Sequence, residues 1–319
     1  MKVVFMGTPE FARVVLGHLC ESSHQVVAVV SGCDQPSGRG RRLLPTACRI
    51  EAEKRNLPVY TPKSLGDNEL YQSLKELEAD IFAVCAFRIL PRRLFELPAR
   101  GSINIHASLL PKYRGAAPIN WAIINGERST GLSSFFLKKS VDTGDVICQE
   151  EISIGDDDTY DSLSYRMSRQ AGPFLVRTLD LIESDDYTPI PQDNSLATRA
   201  PKITPFDAMI DFGFPAANVR NFVRGMATKP GAYTTFRGKK LKIHACAAGL
   251  QPGEPGRRPG TVLAVKKKLI VQCDSSTVEL LRVVPEGKKE MDGQSFINGH
   301  RLHVGEVLGD MTREDKEQK

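Results

Sequence analysis

Three short stretches early in the chain are apolar almost without interruption: Lys2–Met6 (KVVFM), Gln25–Ser31 (QVVAVVS) and Ile81–Ala86 (IFAVCA). A strand that is apolar along its whole length needs cover on both faces, which is the situation inside a parallel sheet flanked by helices. The segments between them supply helices. Thr8-Pro9-Glu10 reads as a helix start, with Thr8 as N-cap, Pro9 in the first turn and Glu10 at the positive end of the helix dipole. Further strands are expected at Gly101–His106, Leu132–Leu137 and Asp145–Ile152, with a helix from about Ala116 to Asn125. A longer helix is expected over Thr159–Glu183, where Leu163, Met167, Ala171, Phe174, Leu175 and Leu179 keep helical spacing and Pro173 should bend or break it. Strands separated by helices predict an α/β fold with a Rossmann-like, doubly wound, mostly parallel sheet.

At 319 residues the chain exceeds what one core usually serves, so two domains are expected. Tyr187–Pro205 is polar, holds prolines at 189, 191, 201 and 205, and reads as a linker. After it come a short helix near Ala216–Arg224 and short strands between Gly/Pro turns, the pattern of a small β barrel. The expected division is 1–186, a linker over 187–205, and 206–319, with a frayed end from Thr312 to Lys319. The longest apolar run, Ile81–Phe87, is far short of the roughly 20 residues that span a membrane. MKVVFMGTPEF has too short an apolar run for a signal peptide and reads as a first strand. Seven scattered cysteines without CxxC spacing show no disulfide framework and suit a reducing, cytoplasmic setting, with residues such as Cys85 filling the core.

The net charge of +5 is mild, but Arg220–Lys268 holds twelve Lys/Arg against one acid, Glu254. That stretch is either a solvated basic face or the footprint of a polyanion. A second basic feature is the loop SGCDQPSGRGRRLLP, Ser31–Pro45, long for a strand-to-helix connection and carrying Arg39, Arg41 and Arg42 among glycines. It is either a loose surface loop or an arm for phosphates.

INIHASLLPKYRG, Ile103–Gly115, places polar residues where a buried strand should be apolar. Side chains alternate along a strand, so Asn104 and His106 share one face and Ile103 and Ile105 the other. The pair stands at a strand's C-terminal end, where open α/β sheets place ligands. VDTGDV, Val141–Val146, is a turn in its own right and also a source of a carboxylate. Asn, His and Asp together suit acyl transfer to an amine, with a donor for the oxyanion and a His–Asp pair for protons. No metal is expected, because His18, His24, His244, His300 and His303 show no HExxH or paired Cys/His spacing. MGTPEF lacks GxGxxG, so the first strand–helix turn does not imply a dinucleotide.

MGTPEFA, QPSGRGRR, INIHASLLPKYRGAAPINWAI, VDTGDVI, KPGAY and PEGKKEM together resemble the family of bacterial methionyl-tRNA formyltransferases over nearly the whole chain. SLLPKYRGAAPI is specific to folate-dependent formyltransferases; the basic loop and the C-terminal segment narrow it to the tRNA branch. The resemblance implies 10-formyltetrahydrofolate as formyl donor, initiator methionyl-tRNA as acceptor, and a monomer without metal. It implies a catalytic set of Asn104, His106 and Asp142, and folate contacts from Ser108, Leu109, Leu110 and Pro111 with Ile89 and Leu90 lining the pterin pocket. It also implies an OB-like C-terminal barrel that holds tRNA, and Arg39, Arg41 and Arg42 at the acceptor stem. Arg88 stands where that family more often has glycine. Three other readings share some of these residues: a formyltransferase acting on an amino sugar or ribonucleotide amine, a hydrolase with water replacing the amine, and a nucleic-acid-binding module with an inactive catalytic domain.

Overall fold

A computed structural model describes residues 1–37 and 42–310. Two compact units emerge. The first takes Met1–Pro118, Ser129–Ser153 and Ser164–Ala200; the second takes Ile119–Arg128, Ile154–Leu163 and Pro201 onward.

In the first unit, β1 (Lys2–Gly7), α1 (Glu10–Leu19), β2 (Gln25–Val30), β3 (Gln35–Ser37), β4 (Arg42–Leu44), α2 (Ala47–Lys54), β5 (Val59–Tyr60), α3 (Asn68–Glu76), β6 (Ile81–Cys85), α4 (Arg92–Phe95) and β7 (Ser102–His106) follow one another. After α5 (Pro118–Ile124) come β8 (Ser129–Phe136), β9 (Val146–Ser153) and α6 (Tyr160–Glu183). The sheet order is β5-β2-β1-β6-β7-β8-β9. From β5 to β7 the pairs are parallel, and the apolar runs of β1 and β6 are buried throughout as double-sided cover requires. β8 and β9 pair antiparallel, so the sheet is mixed at one end.

Two local expectations need correction. Thr8 does not cap α1: Pro9 holds the N-cap position without a side-chain bond, and the Thr8 hydroxyl instead accepts from the Gly32 amide at 3.2 Å, tying the ends of β1 and β2. Pro173 does not break α6, which continues across it. The six apolar residues that mark its periodicity are fully buried, and that packing outweighs the ~3 kcal/mol a helix-interior proline costs. Burial pushes the Cys48 thiol up to about 12 and raises that of Cys85, so both behave as small core residues.

The second unit holds α7 (Ala216–Gly225), then β10 (Tyr233–Phe236), β11 (Lys239–Pro252), β12 (Val262–Ala264), β13 (Ile270–Gln272), β14 (Ser276–Pro285), β15 (Met291–Asp292) and α8 (Gly293–His300). The strands pair antiparallel in the order β10-β11-β14-β13-β12, with β15 also on β14. Residues 305–309 join the two edges. The Val262 amide donates to Glu306 and the Leu308 amide to Gly260, each at 2.8 Å, while the Gly309 amide donates to Thr235 of β10 at 2.8 Å. The sheet thus closes around an apolar core that includes Val219, Tyr233, Leu241, Val271, Leu280 and Phe296.

Gly260 sits where this closure is tightest. Its φ is +88°, and a Cβ there would stand 2.2 Å from the Leu308 carbonyl oxygen. Gly260→Ala is expected to lower unfolding free energy by about 1–3 kcal/mol, read from urea denaturation followed at the second unit.

Candidate active site

His106 ends β7 and is buried. Its Nε2 lies 2.8 Å from the Tyr113 carbonyl oxygen, which can only accept, so Nε2 carries the donated hydrogen. Nδ1 is therefore the nitrogen left for other partners, and it lies 3.8 Å from Asp142 Oδ2. That separation is an ion-pair distance, too long for a hydrogen bond. The orienting contact of the ring is the Tyr113 carbonyl, and Asp142 stands beside the imidazole without a hydrogen bond to it. Asn104, two residues back on the same face, is half-buried, and its amide has no hydrogen-bond partner among the described residues.

Asp142 reaches this place by an indirect route. β8 pairs antiparallel with β7 so that Ser133 stands opposite His106 and Phe136 opposite Ile103. The connection over 137–145 therefore leaves the sheet at the far end of β7 and has to return over its face. Several contacts fix its course. Asp142 has φ +54°, its Oδ2 accepts from the Gly115 amide at 2.9 Å, and Thr143 Oγ1 donates to the Ser140 carbonyl at 3.0 Å. Gly144 packs so close to Phe136 that a Cβ would fall 1.6 Å from the Phe136 carbonyl oxygen.

The loop 108–111 lies over β8 and β9 on a polar column. Ser133 Oγ donates to the Ser108 carbonyl at 2.6 Å and accepts from the Leu110 amide at 3.0 Å, while Gln149 Nε2 donates to the Leu110 carbonyl at 2.9 Å. Of the residues expected against folate, Ser108 is fully buried and its hydroxyl donates to the Lys112 carbonyl at 2.6 Å. Leu110 is buried beside Phe135 and Val146, Leu109 packs over Gly131, and Pro111 follows a cis peptide bond. Leu109 and Pro111 keep partly open surface; the side chains of Ser108 and Leu110 are used to hold the loop. Ile89 is 75% exposed, whereas Leu90 is buried in the apolar cluster of Val84, Leu94 and Phe95. Leu90 thus anchors its segment from inside, assisted by Arg88, which donates to the carbonyls of Pro62 and Lys63 at 2.8 and 3.1 Å.

Sequence reading missed the frame that holds the site. The polar, proline-bearing stretch read as a linker is bonded into the first unit over residues 187–200. Ile190 exchanges backbone hydrogen bonds with Val146 at 2.8 and 2.9 Å. The Tyr113 amide donates to Thr198 Oγ1 at 2.8 Å, the Arg114 amide to the Thr198 carbonyl at 2.9 Å, and the Ala200 amide to the Arg114 carbonyl at 2.7 Å. Ser133 had a signal in sequence, a hydroxyl pair inside the apolar run LSSFFL; the 187–200 segment had none.

Arg39 and Arg41 lie outside the described residues, and of Arg42 only the backbone, in β4, is described. In the basic stretch, pairing removes part of the surplus. Arg220 meets Asp157, Arg237 Glu306, Arg257 Glu254 and Lys268 Glu279, three of these acids lying outside the stretch counted in sequence. Lys266, Lys267, Lys288 and Lys289 are exposed. Among the described residues one group has the proximity of metal ligands, His24 with Asp180 and Glu183; the His24 Nε2 lies 3.1 Å from Asp180 Oδ1.

The formyl transferase family profile matches residues 1–179, and the profile of the formyl transferase C-terminal domain matches residues 202–301. A methionyl-tRNA formyltransferase of Geobacter metallireducens is 40% identical over 97% of this chain and 99% of its own length. The chain belongs to the methionyl-tRNA formyltransferase family. Among solved structures, a sugar 3N-formyl transferase crystallised with dTDP and 5-N-formyl-THF aligns with a TM-score of 0.66 at 17% identity, covering 91% of this chain and 99% of the other. A methionyl-tRNA formyltransferase from Clostridium thermocellum aligns with a TM-score of 0.53 at 16% identity, covering 79% and 94%. Both share the fold.

Ser133→Ala removes an acceptor from the Leu110 amide and a donor from the Ser108 carbonyl. It is expected to cost about 1–3 kcal/mol of stability and to speed hydrogen exchange at the Leu110 amide, measured by exchange mass spectrometry on the 108–111 loop.

Proposed function

We propose that this enzyme transfers the formyl group of 10-formyltetrahydrofolate to the α-amine of methionyl-initiator tRNA. The observation that carries the reading is the Asn104, His106 and Asp142 grouping on one face of β7, in a chain that its family covers nearly end to end. The first unit, with 187–200 fastened into it, would carry the chemistry, and 206–319 would hold the tRNA. Exposed lysines of the second unit and Arg39, Arg41 and Arg42 would meet phosphates.

The amine attacks the formyl carbon, forming the new C–N bond and placing negative charge on the formyl oxygen. The Asn104 amide and the His106 Nδ1–H donate to that oxygen. Asp142 lies beside the imidazolium and offsets its charge, and its free lone pairs receive the amine proton directly or through water. The bond from the formyl carbon to N10 of the folate then breaks, N10 takes a proton, and tetrahydrofolate leaves. No Ser or Cys nucleophile takes part. The surface of Leu109 and Pro111, with exposed Ile89, would lie against the folate.

Three experiments test this. Formyl transfer from 10-formyltetrahydrofolate is expected with methionyl-initiator tRNA and not with elongator methionyl-tRNA; an amino sugar turned over in place of either tRNA would overturn the acceptor assignment. His106→Ala is expected to cut kcat by roughly 100-fold or more with tRNA binding retained. Arg39, Arg41 and Arg42 replaced together by Ala should weaken tRNA binding and flatten its salt dependence, as titration at several ionic strengths would read out.

A further inference from the structure

Gln192 lies in the 187–200 segment, between the two stretches that the family profiles match. Its carboxamide uses its full hydrogen-bonding capacity. Nε2 donates to the Asp142 carbonyl at 3.0 Å and to the Gly144 carbonyl at 2.7 Å. Oε1 accepts from Arg114 Nε at 3.1 Å and Nη2 at 2.7 Å. Arg114 neighbours Tyr113, whose carbonyl holds His106, and Gly115, whose amide holds Asp142. One side chain therefore bonds both to the loop that orients the histidine and to the turn that carries the carboxylate.

The turn needs such an anchor. It comes back over the sheet from the far end of β7, Asp142 sits in the left-handed region that disfavours a non-glycine residue by about 1–2 kcal/mol, and the neighbouring Val141 is 49% exposed and gives little apolar hold. We propose that Gln192 is a positioning residue for formyl transfer: its amide group fixes the 142–144 turn and so sets where the Asp142 carboxylate stands relative to His106. This rests on the reading of Asn104, His106 and Asp142 given above. Gln192 touches no reacting atom in this account; it acts through Asp142.

Gln192→Glu separates this role from a merely structural one. The carboxylate keeps, and strengthens, the link to Arg114, but it sets an acceptor where both turn carbonyls need a donor. If the segment only had to be fastened to Arg114, Gln192→Glu would work as well as the native enzyme and Gln192→Ala would be the poor variant. If the amide positions the turn, Gln192→Glu loses kcat by roughly 10- to 100-fold, at least as much as Gln192→Ala, with KM for both substrates little changed.

The experiment is single-turnover formyl transfer by full-length native, Gln192→Glu, Gln192→Ala, Asp142→Asn and the two double variants, each with a thermal melt. Loss of kcat in Gln192→Glu, and no further loss when either Gln192 change is added to Asp142→Asn, supports the proposal. Native-like turnover by Gln192→Glu, or losses that add to that of Asp142→Asn, overturns it. If Gln192→Glu fails to fold, additivity in the Gln192→Ala cycle decides in the same way. Native-like turnover by Asp142→Asn would instead sink the assignment of Asp142, and the proposal with it.

Discussion

The Tyr113 carbonyl accepts from Nε2 of His106, and what the site can do depends on that bond. It fixes the ring plane, decides which nitrogen faces the open side, and does so with a backbone group that no side-chain substitution removes. Tyr113 offers its carbonyl from a left-handed backbone conformation, φ +62°, in a loop bonded to Thr198 and Ala200. Asp142 is placed by a second backbone contact, the Gly115 amide. The two titratable side chains are thus held by main-chain groups two residues apart in one loop, so their relation to each other depends on the shape of that loop more than on a direct bond between them.

The parallel core was legible because its cause is local and repetitive: continuous apolar runs in β1, β2 and β6 permit little else. Asn104 and His106 were legible because they break that rule at a strand end. Asp142 could be named from the family motif, but its position could not be read, since it depends on the antiparallel register of β8 and on a connection that doubles back. The frame over 187–200 was illegible for a different reason. Its bonds are made largely by backbone groups and by one amide side chain, and prolines with polar residues write the same signature whether a segment floats or is fastened. Leu90 and Ile89 differ in a way their shared motif does not carry, one being buried and the other 75% exposed.

Charge counting met a similar limit. Twelve cations against one acid along Arg220–Lys268 suggested a wide basic face, but Asp157, Glu279 and Glu306 come from other parts of the chain to meet three of them. Pairing of this kind is a property of the fold, and a window along the sequence cannot contain it. The lysines left exposed, in the turn between β12 and β13 and in the PEGKKE turn after β14, sit at strand connections, where a long chain can reach a partner without disturbing the ladder.

The closure of the second unit by residues 305–309 has a bearing on biosynthesis. Those residues follow every strand they join, so a nascent chain carries β12, and β10 beyond Tyr233, with unpaired edges until residues 305–309 leave the ribosome. Through that interval the half-made sheet is a template for any passing strand.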